Sequence, residues 1–263
     1  MPGTVEAIFR GPSSDFNGSH WNTTKVFGPK VAGLVEHDNV IHQPTANAVN
    51  MYGMANGLPL DDLESGFDPN HPFQNRDPRF YHDIVFDGFQ YLHGAAGDRA
   101  AYVYCQLYTG GNMRPVANGS RTGYFIQKLV PHTCNVIDRD YDWGSAVHVY
   151  LPYMRLADVY LLYAEATAAK DGKSFTRTNK ASNCSLTSED AVNKVRRRCG
   201  AGDVHPKFTG FAYMDEIRRE RAVELMFEGH RFNDLQRWLL LTEPPYTIKT
   251  SQEFERVHPD SWY

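Results

Sequence analysis

The stretch Ile217 to Trp238, IRRERAVELMFEGHRFNDLQRW, carries charges where an ordinary surface helix carries apolar side chains. At about 100° per residue, Tyr213, Ile217, Arg221, Glu224 and Glu228 share one helical face, flanked by Met214, Glu220, Leu225 and Phe227. Arg219 and Met226 point the other way. The stripe expected to be buried therefore holds three carboxylates and an arginine. Charges inside a protein must be paired and hydrogen-bonded or they cost several kcal/mol each, a figure of roughly that order for any buried ion. Arg218, Arg231 and Arg237 are the partners nearest in sequence. The favoured reading is a structural ion-pair network of Glu220, Arg221, Glu224, Glu228 and Arg231 that locks this helix to its neighbours.

The competing reading is a carboxylate-rich metal or acid–base site. Ferritin-like di-metal bundles use Glu-x-x-His on inward faces, whereas here Glu228 is followed by Gly229 and His230. A glycosidase sets two carboxylates across a sugar-sized gap, and residues one turn apart facing a core leave no such gap.

Two textures divide the chain. Residues 1–145 are rich in Gly, Pro, Asn and Asp, with short apolar runs at 83–86 and 101–107 that read as strands and turns at Asp68-Pro69-Asn70 and Asp77-Pro78. Thr4 to Phe9 also reads as a strand. So much loop sequence is uncommon unless it serves a function. Residues 146–263 form the helical part. Leu156, Val159, Tyr160, Tyr163, Ala164 and Thr167 follow helical spacing, and Ala157, Ala164, Ala166 and Ala168 permit close packing. Gly172 suits a left-handed helix end. The next helix takes Thr187 or Ser188 as N-cap, Glu189 and Asp190 in its first turn, Arg196 to Arg198 in its last, and stops at Gly200. The pair reads as a tetratricopeptide-like hairpin, which cannot bury its own face alone. The fold class expected is mostly α on such a hairpin scaffold, with an irregular loop-rich region.

These residues also carry a resemblance. Ile217, Glu220-Arg221, Glu224-Leu225, Glu228-Gly229, Arg231, Asp234-Leu235 and Arg237-Trp238 are very similar to the C-terminal signature of the SusD/RagB family. The stretch 151–169, LPYMRLADVYLLYAEATAA, resembles the family's Arg-x-Ala-(Glu/Asp)-Val-x-Leu-x-Tyr-Ala-Glu-Ala helix. Asn193, Val195, Arg196, Arg198 and Gly200 resemble its Asn-x-Val-Arg-x-Arg-x-Gly turn. Pro44-Thr45 before Met54-Ala55-Asn56-Gly57, and Asn75-Arg76-Asp77-Pro78-Arg79-Phe80, resemble its mid-chain markers. The five motifs agree in order and spacing across about residues 44–238.

The resemblance implies a SusD-like scaffold and a non-catalytic, cell-surface lipoprotein of Bacteroidetes. Such proteins bind glycans and cap a SusC-like TonB-dependent transporter of the outer membrane. Family members begin with a signal peptide, a lipidated cysteine and a long helical half. This chain is therefore expected to represent the C-terminal portion, with any lipid anchor outside it. No cofactor is implied. Peptide capture, as in some RagB-like relatives, is the alternative, and a glycoside hydrolase is a third.

A glycan groove needs aromatic rings against the apolar faces of sugars, with amides and charges for the hydroxyls. The first candidate is Phe16, Asn17, His20, Trp21 and Asn22, where Trp21 stands among small polar residues without apolar periodicity. In the family, variable loops ahead of the Pro-Thr marker contribute ligand contacts. Tyr141 and Trp143 form the second candidate. Tyr52 ranks lower beside Met51 and Met54, and Trp238 reads as core. Asp138, Asp140 and Asp142 resemble half of a calcium loop but lack the glycine and distal glutamate of an EF-hand. Arg76, Asp77 and Arg79 read as a structural turn with internal pairing.

Other classes find no support. A net charge of −4 and a pI near 6.2 give no electrostatic case for nucleic acid. The four cysteines, Cys105, Cys134, Cys184 and Cys199, show no zinc spacing, though one disulfide is open to them. His37 and His42 are isolated. No apolar run reaches the length that spans a membrane.

Overall fold

The computed structural model describes residues 4–10, 14–15, 42–94, 96–115, 119–129, 148–149, 152–172 and 174–255. Among them helix dominates, and strands occur only as two-residue to four-residue ladders. The fold is mostly α with a loop-rich first part, as the sequence implies.

Three helices make the scaffold: α3 (Leu156–Ala168), α4 (Ser188–Cys199) and α5 (Phe211–Glu224). Their shared core is Ala157, Leu161, Ala164 and Ala168 from α3, Ala191, Val192 and Val195 from α4, and Tyr213, Met214 and Ile217 from α5. The alanines bring the backbones close enough for Ser188 Oγ to donate to the Ala164 carbonyl at 2.7 Å. Tyr213 Oη lies 2.8 Å from the same hydroxyl. Helix α4 opens on a capping box: the Thr187 side chain accepts from the Asp190 amide, and Asp190 accepts from the Thr187 amide. It ends at Gly200, whose φ of 78° only glycine adopts without strain. Helix α3 stops at Ala168, before Gly172, which takes φ 65° in the turn that follows.

The loop-rich part has its own aromatic core. Tyr52, Phe73, Phe80, Phe86, Tyr124 and Val223 form one cluster, and Val85, Tyr91, Leu92, Leu107 and Phe125 another. Phe80 and Phe86 sit 4.9 Å apart and Phe73 and Phe86 5.0 Å. Many of the aromatics in loop sequence thus build this core. Tyr52 is fully buried and donates to Asp83 at 2.8 Å. Short elements frame the clusters: α1 (Ala46–Val49), α2 (Pro78–Asp83), and the antiparallel pair β3 (Ile84–Val85) and β4 (Phe125–Ile126).

Buried loop backbone needs hydrogen-bond partners. Arg76, 2% exposed, supplies them to the carbonyls of Pro72 and Tyr52 at 2.9 and 2.7 Å and to Val49 and Gly53 at longer range. Its guanidinium lies 4.7 Å over the Phe80 ring, and burial brings its pKa down to about 10. The strand expected over 101–107 is absent: Gly97–Tyr102 is a 3₁₀ helix, and Tyr104 makes only an isolated bridge to Gln90. The backbone here meets the 88–91 stretch over a short span, with Cys105 bonded to Phe89 and Gly88 to Cys105, and the pairing stops where the Leu107 amide turns to the Asp87 carboxylate at 2.7 Å.

The signature stretch is not one helix. Helix α5 ends at Glu224, Phe227 and Gly229 adopt φ 65° and 85°, and α6 (Arg231–Arg237) follows. Glu228 therefore sits in a turn. Its charges are nonetheless internal and paired. Arg79 donates to Glu220 at 2.5 Å, to Glu224 at 2.9 Å and to Asp77 at 2.8 Å. Arg196 bridges Glu216 and Glu220, both at 2.9 Å. Arg155 reaches Glu224 at 2.5 Å and Glu228 at 2.7 Å, and Arg198 also pairs with Glu224. Lys128 joins Glu228 at 2.8 Å. Arg221 binds Asp158 at 2.8 Å and Asp234 at 3.0 Å.

The partners differ from those nearest in sequence. Arg218 pairs with Asp215, and Arg237 with Asp234 and Glu165. Arg231 lies over the Trp238 and Tyr246 rings and bridges none of the three glutamates. Arg219, expected to face away, is drawn in by Glu216 at 2.6 Å.

Burial alone would raise the Glu220 carboxyl; the charges of Arg79 and Arg196 and the Arg79 hydrogen bond outweigh it and hold the pKa at about 2, against an ordinary 4.5. A depressed folded pKa stabilises above the unfolded value and loses that contribution as pH falls. Glu220 should therefore contribute on the order of 3 kcal/mol at neutral pH. The stability of the chain should fall as pH drops from 4.5 to 2, and Glu220→Gln should flatten that limb. At pH 7 urea titration should find Glu220→Gln destabilised by about 3–5 kcal/mol, because it strands buried guanidinium charge. Loss of the cap in Thr187→Ala should cost about 1 kcal/mol.

Candidate functional site

The network reaches a surface feature through Arg155. Strand β1 (Ala7–Arg10) pairs antiparallel with β6 (Pro152–Arg155), and β2 (Ser14–Asp15) pairs antiparallel with β5 (His148–Val149). The same two stretches of chain thus run alongside each other twice. At one end, β6 passes into α3 without a loop, with Arg155 as N-cap. Glu6 closes this end: its carboxylate meets Arg155 at 3.1 Å and Arg198 at 2.7 Å, and its carbonyl accepts from the Leu156 amide at 2.7 Å. Burial raises the Glu6 carboxyl, but the Arg198 and Arg155 contacts prevail and lower it.

At the other end Asp15 faces His148. The chain leaves Asp15 directly into Phe16, and it arrives at His148 five residues after Trp143. In an antiparallel pair these two exits lie at the same end of the ladder. From that end the chain leads, in its two directions, toward the two aromatic segments singled out in the sequence. Phe16, Asn17, His20, Trp21, Asn22, Tyr141 and Trp143 themselves lie outside the described residues, as do Asp138, Asp140 and Asp142.

The ribbon also presents an aromatic pair that sequence reading missed. Phe9 and Tyr153 are 63% and 62% exposed, with ring centroids 5.7 Å apart and planes at 35°. Residues 4–9 read as a strand, but the cross-strand neighbour that makes Phe9 part of a platform is remote in sequence. Ile8 and Met154 beside them are exposed too.

Elsewhere, Trp238 is half-buried rather than core. Its indole donates to Glu165 at 2.8 Å, and the guanidiniums of Arg237, Arg218 and Arg231 lie 4.6, 5.3 and 6.0 Å from the ring. Buried Asp83 carries a carboxyl raised by burial against the opposing charge of Lys128. Among the described residues no three His, Cys, Asp or Glu side chains cluster as metal ligands, and no helix is long and apolar enough to cross a membrane. Cys105, Cys184 and Cys199 are free thiols, and burial pushes the Cys105 thiol up.

Comparison with known proteins places this geometry. The SusD family model matches residues 6–260. Similar solved structures include a SusD-like protein from Bacteroides fragilis, 26% identical, with a TM-score of 0.65 over 91% of this chain and 44% of that one. A SusD-like carbohydrate binding protein from the same organism is 22% identical, with a TM-score of 0.52 over 75% and 35%. A SusD superfamily protein from Bacteroides vulgatus is 19% identical, with a TM-score of 0.52 over 91% and 41%. The chain spans less than half the length of each. No curated protein matches it. A family model matched along nearly the whole sequence, on the charged scaffold described above, means that this chain belongs to the SusD family.

Proposed function

We propose that the chain is part of a non-catalytic glycan-capture protein at the surface of the bacterial outer membrane, which delivers oligosaccharide to a SusC-like TonB-dependent transporter. The observation that carries this reading is the β2–β5 pairing. It sets Asp15 beside His148, the two points from which the chain leads to Phe16–Asn22 and to Tyr141–Trp143. In this reading Trp21 and Trp143 act as stacking residues and Asn17, His20 and Asn22 meet sugar hydroxyls. The exposed Phe9–Tyr153 pair extends the aromatic surface along the ribbon. Family membership supports the same reading, as does the carbohydrate-binding relative among its structural neighbours.

The carboxylates support capture over hydrolysis. Hydrolysis of a glycoside needs two carboxyl groups facing a bound sugar. Glu216, Glu220, Glu224 and Glu228 are spent on guanidiniums inside the protein.

Affinity electrophoresis through a panel of polysaccharides, with reducing-sugar release followed in parallel, tests the proposal. At least one polysaccharide should retard the chain without release of sugar. Trp21→Ala should weaken that retardation about tenfold in apparent Kd, the scale of a single aromatic hot spot. Sugar release by the pure protein overturns the non-catalytic reading. Indifference to every polysaccharide, with binding of peptides instead, transfers the site to peptide cargo.

A further inference from the structure

A cavity of about 400 Å³ lies away from the ribbon, between α1, the end of α5, α6 and the turn at Tyr246 to Lys249. Hydrogen bonds tie that turn to α1, with Asn47 Nδ2 donating to the Ile248 carbonyl at 2.8 Å and the Ala46 amide to Thr250 at 2.9 Å. The walls are apolar, with Met51, Leu225, Met226, Phe227 and Leu235 prominent, and exposed Phe232 stands at the mouth. Two cations line the cavity, Arg231 and Lys249, and no Asp or Glu does.

Arg231 is unlike the other arginines of this region. Arg79, Arg155, Arg196 and Arg221 each hold two or more carboxylates. Arg231 Nη1 is buried with no hydrogen-bond partner, and a buried donor left unmet is costly. The Tyr246 and Trp238 rings, 5.4 and 6.0 Å from its guanidinium carbon, hold the group in place. The nearby Asp234 carboxylate is already engaged by Arg221 and Arg237. Burial lowers the Arg231 pKa, against the influence of Tyr246 and Asp234, as expected of a cation short of an anion.

We propose that this cavity binds a small apolar monocarboxylate, with its carboxylate on Arg231 and its hydrocarbon or ring against Met51, Leu225 and Phe227. The volume falls at the lower end of small-molecule sites, which run from roughly 300 to 1,000 Å³. The charge is complementary: a desolvated guanidinium is a strong partner for a carboxylate, and no protein carboxylate competes inside the cavity. A sugar is less well matched, because the walls are mostly carbon and the Asn47 amide is already committed to Ile248 and Thr250. The site is therefore independent of the glycan reading.

Calorimetric titration of the 263-residue chain with decanoate and with decanol tests it. Decanoate should bind about tenfold tighter than decanol, the effect of one charge-assisted contact. Arg231→Gln should erase that gap and leave decanol affinity unchanged. Equal affinities for the two in the unaltered chain, no binding of either, or a gap that survives in Arg231→Gln overturns the proposal. If Arg231→Gln does not fold, Leu235→Trp, which fills the cavity, decides: loss of decanoate binding supports the site, and unchanged binding refutes it.

Discussion

Glu220 and Glu224 lie inside the protein, and four arginines converge on them from three distant stretches of the chain. Arg79 comes from the loop-rich part, Arg155 from the end of the ribbon, and Arg196 and Arg198 from α4. Each alone would be a desolvated ion costing several kcal/mol, on the order given for buried charges. Together they form one unit in which every member depends on the others. Such clusters contribute modestly to net stability, but they penalise any arrangement that leaves a member unmatched. The network therefore fixes how three poorly connected pieces sit together: the helical core, the loops and the ribbon.

The loop-rich part needs this help because it has little regular structure to satisfy its own backbone. It manages by two means. Phe73, Phe80 and Phe86 stack or tilt against one another, and Tyr52, Tyr81 and Tyr124 meet them edge to face, burying large area per residue. Arg76 takes over the role of a hydrogen-bond ladder, and Asp87 caps the Leu107 amide. Val223 of α5 packs into the same aromatic cluster, so the helix that carries the buried glutamates also closes the loop core. Packing and charge pairing are thus joined through a single helix.

This explains which parts of the molecule could be read in the sequence. Helices α3 and α4 were legible because spacing, an N-cap residue and a terminal glycine are all local signals, and Thr187 and Gly200 act where local chemistry puts them. The burial of charge on α5 was legible as a requirement. The identity of the partners was not, since Arg79 lies 141 residues from Glu220 and nothing local distinguishes it from Arg231. The helix break at Phe227 and Gly229 was hidden because helical periodicity runs through it, while a non-glycine residue takes positive φ. Trp238 looked like core because it ends the signature stretch; here three guanidiniums cover it instead. For the candidate binding site, the composition of the two aromatic segments was visible and their common tether was not. That tether is a pairing between residues 14–15 and 148–149, and strand pairing at such separation leaves no mark on either strand alone.

Arg155 shows why a binding feature would be mounted this way. It is at once the last residue of β6, the N-cap of α3 and a member of the ion network. A two-stranded ribbon with both faces open has little burial of its own and is marginal in water. Its direction must be imposed from its base. With no loop between β6 and α3, and with Glu6 locking β1 to the same guanidinium, the base of the ribbon inherits the rigidity of the helical core. A ribbon whose direction is set at its base is a mount from which loops can be given over to ligand.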